Sequence, residues 1–295
     1  MPNSAPFVLT LVADPIAAPL SDALIARMRA AAGGLAPVSL APNEAADIPL
    51  PALPDPAALR DALGAAPVDA IVQPAEGRRK QLLIADMDST IVTGETLDEL
   101  ADFAGLKAEI AAITMRSMNG EIDFATALRE RVAMLRGLDL AALERTWARM
   151  RLTPGARDLV ATMRAHGAVT ALVSGGFTFF TGRVAALVGF DIHRANVLED
   201  DGAALTGLVG EPILDRDAKL ASLRELAAAR GLTLAQTLAV GDGANDLAML
   251  RAAGLGVAFR AKPIVAAEAR ARVDHAGLRA LLFAQGYTAG EIAAG

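Results

Sequence analysis

The feature that most constrains this chain is an apolar run that stops abruptly on two carboxylates: Gln81-Leu82-Leu83-Ile84-Ala85-Asp86-Met87-Asp88-Ser89-Thr90. Leu82 to Ala85 reads as a strand buried on both faces, as in a parallel sheet. Asp86 then stands at the strand's C-terminal end, where ligands bind in open α/β sheets. Side chains two apart on an extended chain point the same way, so Asp86 and Asp88 converge. Carboxylates that close repel unless a positive charge lies between them or one holds a proton. A hard cation such as Mg2+ supplies that charge through oxygen ligands. A strand followed by an ordinary Asx turn would give the same decapeptide. The remainder of the chain has to decide between the two.

Further along, strand and helix signals alternate. A helix over 155–166 leads into a second buried strand, Ala168 to Val173, which ends on Ser174-Gly175-Gly176. A helix over 177–188 follows, then short strand and turn signals over 191–210. Lys219 lies near the start of a helix over 217–230. A third buried strand, Thr237 to Val240, ends on Gly241-Asp242-Gly243-Ala244-Asn245-Asp246, and a fourth spans Leu255 to Phe259. This alternation implies an α/β fold with a right-handed, doubly wound parallel sheet. Between the first two strands, about 93–152 carries no strand-like run. Helices are expected there over 95–104, 106–118, 123–136 and 140–150, with Gly94, Gly105, Gly120 and Gly137 at or near the breaks. Such an insertion would lie over the C-terminal edge of the sheet as a helical cap.

Residues 1–78 form a different pattern. Strand signals at 7–12, 37–41, 46–50 and 68–73 and helix signals at 21–32 and 57–64 give the order βαββαβ, the ferredoxin-like arrangement. Ser21 is the expected N-cap of the first helix. Pro49, Pro51, Pro54 and Pro56 should interrupt regular structure between the third strand and the second helix. No catalytic constellation appears in this unit. It reads as a packing or homodimerisation module, or as a small-molecule regulatory domain. Pro74 to Lys80 reads as a polar linker into a second domain, 79–295.

Composition narrows the function classes. The 295 residues contain no cysteine, which excludes disulfides, thiolate metal sites and a cysteine nucleophile. A formal net charge of −6 argues against a nucleic-acid-binding surface. No apolar run reaches the ~18 to 20 residues that span a bilayer, and the N-terminus lacks the pattern of a secretory signal. A cytoplasmic location with no membrane partner is the expectation.

Strand ends on one edge of a parallel sheet meet in space. Here they bring together Asp86 and Asp88, Ser174, and Asp242 with Asp246, while Lys219 arrives from a helix start. A metal, a carboxylate nucleophile, a hydroxyl donor and a lysine suit phosphoryl transfer, which needs positioning and charge neutralisation above all. A carboxylate nucleophile forms an aspartyl phosphate. A second carboxyl can protonate the leaving oxygen and then deprotonate water. None of His166, His193 and His275 falls beside these strand ends. Taken singly, Ser174-Gly175-Gly176 reads as a turn, Lys219 as a surface lysine, and Asp242 and Asp246 as turn or capping residues. Their joint occurrence in this order is what carries the reading.

Asp86-Met87-Asp88-Ser89-Thr90, Ser174-Gly175-Gly176, Lys219 and Gly241-Asp242-Gly243-Ala244-Asn245-Asp246 resemble the four motifs of the haloacid dehalogenase (HAD) superfamily. Glu95, Phe124, Arg131 and Ala261-Lys262-Pro263 add a more specific resemblance to its phosphoserine phosphatase family, over about residues 80–285. The resemblance implies a HAD-like Rossmannoid core and the hydrolysis of O-phospho-L-serine, the last step of serine biosynthesis. It implies Asp86 as nucleophile and Asp88 as general acid and base. Mg2+ would be held by the Asp86 side chain, the Asp88 carbonyl and Asp242, with Asp246 in support. Ser174, Gly175, Lys219 and Asn245 would bind phosphate. Glu95 would meet the substrate ammonium, Arg131 its carboxylate, and Met118 and Phe124 would line the pocket. A guanidinium fork matches a carboxylate. Pocket volume is not legible in sequence, so a related phosphatase or phosphotransferase for another small phosphate, such as phosphohomoserine or phosphothreonine, stays open as the alternative. A non-catalytic amino-acid sensor has no need of Asp86, Asp88, Lys219 and Asp242 together. The residues 1–78 resemble an ACT-type domain by element order alone.

Overall fold

The computed structural model describes residues 5–118 and 121–295. The side chain of Met118, expected in the pocket, and Gly120, expected at a helix break, lie outside the described residues.

The N-terminal unit runs β1 (Phe7–Ala13), α1 (Asp22–Ala32), β2 (Val38–Ala41), β3 (Ala45–Leu50), α2 (Pro56–Leu63) and β4 (Val68–Pro74). Its antiparallel sheet has the order β2-β3-β1-β4, as a βαββαβ ferredoxin-like unit requires. The Ser21 hydroxyl accepts from the Leu24 amide at 3.3 Å and so satisfies an orphan donor of α1. Pro49 sits inside β3 rather than ending it. It faces Val8 of β1, while β2 reaches no further along β3 than Asp47, so no ladder bond is lost on the outer side. Pro56 opens α2, capped by Asp55.

One face of this sheet buries Leu9, Leu11 and Ile48 with Met28 of α1. The other face sends Val12, Ala45 and Ile71 into the core of the larger unit. The segment read as a linker is fastened on both sides. Arg78 grips Asp47 through two nitrogens, at 2.6 and 3.1 Å, and also donates to the carbonyls of Phe283 and Ala284. Asp69 accepts from the amides of Asp274 and Ala276 at 2.7 and 2.8 Å.

The larger unit begins with β5 (Leu82–Ala85). Four helices follow: α3 (Thr96–Ala104), α4 (Lys107–Met118), α5 (Phe124–Met134) and α6 (Ala141–Arg149). The chain continues through α7 (Ala156–Ala165), β6 (Val169–Phe177), α8 (Thr178–Val188), β7 (Ile192–Asn196), the hairpin β8 (Leu198–Asp200) and β9 (Leu205–Val209), and α9 (Arg216–Ala229). It ends with β10 (Thr237–Gly241), α10 (Leu247–Ala252), β11 (Leu255–Phe259), α11 (Pro263–Glu268), β12 (Ala271–Val273) and α12 (Ala280–Ala284). The sheet has six strands in the order β12-β11-β10-β5-β6-β7, and all its pairs are parallel.

Two of these strands carry no buried apolar run. β7 (Ile-His-Arg-Ala-Asn) and β12 (Ala-Arg-Val) are the edge strands, where one side faces away from the sheet and the burial demand falls. β6 is also longer than its apolar run. It continues through Ser174-Gly175-Gly176 to Phe177, with a register shift between Val173 and Phe177. The Ser-Gly-Gly segment is therefore an irregular strand end, and α8 starts only at Thr178.

Candidate active site

β5, in the middle of the sheet, delivers Asp86, and the neighbouring strand ends deliver the rest. Asp86, Asp88, Ser174, Gly175, Asp242 and Asn245 line one cavity of about 130 Å³. Glu95, Phe124 and Arg131 of the helical insertion line the same cavity. Lys219 and Asp246 lie beneath, 1% and 0% exposed. Among the expected site residues only the Met118 side chain is left unplaced.

Each strand end has a local reason for its shape. Asp86 and Asp88 are themselves extended, with a helical residue, Met87, between them, and the chain then reverses at Ser89, whose φ is +53°. The reversal lets the Ser89 hydroxyl donate to Glu95 Oε1 at 2.7 Å. Gly241 brings the backbone against Asp246: a Cβ there would lie 2.4 Å from the Asp246 carboxyl carbon. Gly176 brings β6 close to the Asp88 carboxylate and the Thr96 hydroxyl, both 3.4 Å from where a Cβ would stand. Phe124 of α5 packs over Gly175, its ring edge 3.2 Å from the corresponding point. The insertion is thus seated on the strand end that carries Ser174 and Gly175.

The polar groups divide the work. Lys219 Nζ reaches Asp86 Oδ1 at 2.9 Å and Asp246 Oδ1 at 2.6 Å. Asp86 Oδ1 also accepts from the Met87 amide at 2.8 Å, and Asp246 Oδ2 from the Gly243 amide at 3.0 Å. Asp246 is thereby committed to holding Lys219 and the Gly243 turn. Among the described residues no hydrogen bond reaches Asp86 Oδ2 or the Asp242 carboxylate, which stay open to the cavity.

Asp88 is built differently. Its Oδ2 accepts from the Thr96 hydroxyl at 2.9 Å, while its Oδ1 is buried without a hydrogen-bond partner. Burial, reinforced by Glu95, pushes the Asp88 carboxyl up to about 7. A carboxyl in that range can hold a proton and give it up near neutrality. Burial and the Asp246 charge also raise Asp86, against the pull of Lys219. Asp242 rises to about 6 through burial and then Asp246. For Lys219, burial acts downward, but the Asp246 and Asp86 carboxylates outweigh it and hold the ammonium charged.

A divalent cation fits this donor set. Asp86, Asp242 and Asp246 each place a carboxylate oxygen so that all lie within 4.8 Å of one another. The donors are oxygens, which suits a hard ion. Five carboxyls (Asp86, Asp88, Glu95, Asp242, Asp246) stand against three cations (Lys219, Lys262, Arg131), a balance that either a bound cation or a held proton relieves.

Arg131 is half-buried and lines the cavity, and among the described residues its guanidinium is tied to two uncharged groups, Ala127 O at 3.1 Å and Thr114 Oγ1 at 3.5 Å. Among the described residues no carboxylate lies within ion-pair distance of it. Burial lowers its pKa from the usual value, opposed by Asp98 and Glu95. Sequence reasoning gives no separate role to Thr96 or Ser89. Thr96 is adjacent to Glu95, but its grip on Asp88 follows from a cap helix start meeting a core strand end, which no local pattern announces. Lys262 also lines the cavity.

Residues 83–251, more than half the chain, match the family model of haloacid dehalogenase-like hydrolases. A phosphoserine phosphatase of Streptococcus thermophilus is 47% identical over 190 residues, 64% of this chain and 88% of that protein. One of Streptomyces coelicolor is 45% identical over 217 residues, 74% of this chain and 53% of that protein, so the chain spans about half the length of that relative. A crystal structure of a HAD family hydrolase from Salmonella enterica serovar Typhi superposes with a TM-score of 0.83 at 30% identity. It covers 95% of this chain and 98% of its own. By this family match and these relatives, the chain belongs to the haloacid dehalogenase-like hydrolases, in the family of the phosphoserine phosphatases.

Proposed function

We propose that this chain is a Mg2+-dependent phosphatase that hydrolyses O-phospho-L-serine to L-serine and inorganic phosphate. One observation carries the reading. A single cavity joins Asp86, Asp88 and Ser174 on its floor to a half-buried guanidinium with no carboxylate partner among the described residues and to a glutamate on the facing insertion. A phosphate ester that also bears a carboxylate and an ammonium satisfies all three. The relatives named above are phosphoserine phosphatases, which supports the same substrate.

In the proposed sequence, Asp86 attacks phosphorus and forms an aspartyl phosphate. The P–O bond to the serine oxygen breaks, and that oxygen takes the proton held by Asp88. Asp88, now a carboxylate, accepts a proton from water as the water oxygen bonds to phosphorus. Asp86 is released with inorganic phosphate. Ser174, the Gly175 backbone, Asn245 and Lys219 would grip the phosphoryl oxygens. Mg2+ would be held by the Asp86 and Asp242 carboxylates and the Asp88 carbonyl, with Asp246 in support, and would neutralise charge on the transferring group. Arg131 would bind the substrate carboxylate, Glu95 its ammonium, and Phe124 would close the pocket wall.

The proposed domain division is 1–78 and 79–295, with the cap inserted at about 93–152. The proposed pathway role is the last step of serine biosynthesis, in the cytoplasm. Among the described residues no helix is long and apolar enough to cross a membrane. A homodimer through residues 1–78 would use the β2 edge, since the β4 side and the open sheet face pack on the chain's own larger unit. The test of function is phosphate release from a panel of small phosphomonoesters, with and without Mg2+. Preference for phosphoserine that requires the metal is expected. Equal rates on all esters would overturn the substrate assignment and leave the family intact.

A further inference from the structure

Asn196 belongs to none of the four motifs, yet it touches the site from behind. It ends β7, is 2% exposed, and faces Phe177 across the β6–β7 pair. Its Nδ2 donates to Gly175 O at 2.9 Å and to Leu214 O at 3.2 Å, and its Oδ1 accepts from the Leu214 amide at 2.6 Å. Both amide protons and the oxygen are used. Rotating the amide by half a turn would set oxygen against two carbonyls and NH2 against an N–H, so the orientation is determined.

The bond to Gly175 O has a consequence on the cavity side. In a trans peptide the C=O and the following N–H point in opposite directions. Holding the Gly175 carbonyl toward Asn196 therefore aims the Gly176 N–H the other way. That N–H donates to Ser174 Oγ at 2.9 Å. A hydroxyl has one proton and two acceptor sites. With an acceptor site occupied by Gly176, the Ser174 proton remains to donate, and among the described residues nothing accepts it. Ser174 lines the cavity. The paired bonds to Leu214 tie the same side chain to the residue before Asp215, whose carboxylate caps α9 at Asp217 and Ala218. That helix carries Lys219.

We propose that Asn196 is a positioning residue for phosphate binding. It sets the Gly175–Gly176 peptide so that the Ser174 hydroxyl is presented as a donor, and it holds the start of the Lys219 helix in register with that strand end. The proposal rests on the phosphatase reading above. It concerns the phosphate grip, which any phosphomonoester substrate shares, and is independent of what recognises the serine moiety.

The test is Asn196→Asp, which keeps the shape and the acceptor for Leu214 but turns both donors into acceptors facing carbonyls. Steady-state rates are measured with phosphoserine and with p-nitrophenyl phosphate, alongside inhibition by inorganic phosphate, at a temperature where the variant is fully folded. Loss of a phosphoryl-oxygen donor is of order 100-fold in rate. The expected result is a fall in kcat/KM of about that size for both esters, with a parallel rise in the inhibition constant for phosphate. In a Ser174→Ala background the same change is expected to cost only about threefold, because the donor it positions is gone. A lower Tm with kcat/KM and phosphate inhibition unchanged per folded molecule would overturn the proposal. So would an equal loss in both backgrounds. Should Asn196→Asp fail to fold, Asn196→Ala is read in the same assays and decides. A wild-type protein that prefers another phosphomonoester defeats the phosphoserine assignment, and the Asn196 comparison is then run on that ester.

Discussion

Lys219→Met removes the fully buried cation under the site and keeps most of its volume. Lys219 Nζ lies 2.9 Å and 2.6 Å from oxygens of Asp86 and Asp246. At an effective dielectric of about 20, each attraction is of order 6 kcal/mol. Burying the ammonium cancels several kcal/mol of that, and breaking a buried pair by removing one partner costs about 3 to 5 kcal/mol net. For a chain of this size the expected fall in Tm is roughly 5 to 8 °C. The loss depends on pH in a definite sense. The folded Asp86 carboxyl already sits well above its ordinary value through burial and Asp246, and without Lys219 it rises further. A raised folded pKa means that the folded state holds the proton more tightly. The deficit is therefore smallest at acid pH, where Asp86 is protonated in both folded proteins, and grows as pH climbs through the wild-type folded value toward the higher one of the variant. Mg2+ replaces part of the missing charge, so the variant should gain more Tm from Mg2+ than the wild type does. Thermal melts from pH 4 to 8, in EDTA and in Mg2+, measure both effects. If Lys219 also grips phosphate as proposed, turnover should fall about 100- to 1,000-fold. A variant whose Tm at pH 7 in EDTA lies within about 2 °C of wild type would refute the electrostatic account.

Three other outcomes are expected. Arg131→Ala should raise KM for phosphoserine by roughly 10- to 100-fold, the worth of a charged hydrogen bond, with little change for an aryl phosphate; equal changes on both substrates would remove Arg131 from carboxylate recognition. Thr96→Val deletes a bond that stabilises the Asp88 carboxylate, so the Asp88 pKa, already about 7, should rise further. The alkaline limb of kcat/KM, where the acid loses its proton, should then move to higher pH, while Thr96→Ser keeps the wild-type profile; an unmoved limb in Thr96→Val would separate that limb from Asp88. Gly241→Ala forces a Cβ to within 2.4 Å of Asp246, so Asp246 must shift from Lys219 and turnover should collapse; wild-type activity in this variant would show the contact to be soft.

Much of this protein was legible because a parallel sheet leaves a local record. Buried strands must be apolar on both faces and their chemistry must stand at their ends, so Leu82–Ala85 followed by Asp86, and Thr237–Val240 followed by Asp242, announce both fold and site. Helices in the insertion could be read from composition and glycine breaks to within a few residues of their observed ends. The edge strands β7 and β12 could not, because an edge carries a weaker burial requirement and hence a weaker pattern.

What the sequence determined by itself was therefore the order of elements, the α/β architecture and the set of groups brought to one sheet edge. Only the tertiary structure decided how those groups share the work. Asp86 and Asp88 are chemically identical and two residues apart. Lys219 pairs with the first, while burial, Glu95 and the Thr96 hydroxyl surround the second. Asp246 is turned to Lys219 and Gly243, leaving Asp242 open. Asn196 reaches the Ser174–Gly176 strand end from an edge strand with no motif around it. Each of these differences depends on the distance and burial of residues far apart in the chain. Charge and proton affinity follow that surrounding field, and only the packed chain creates it.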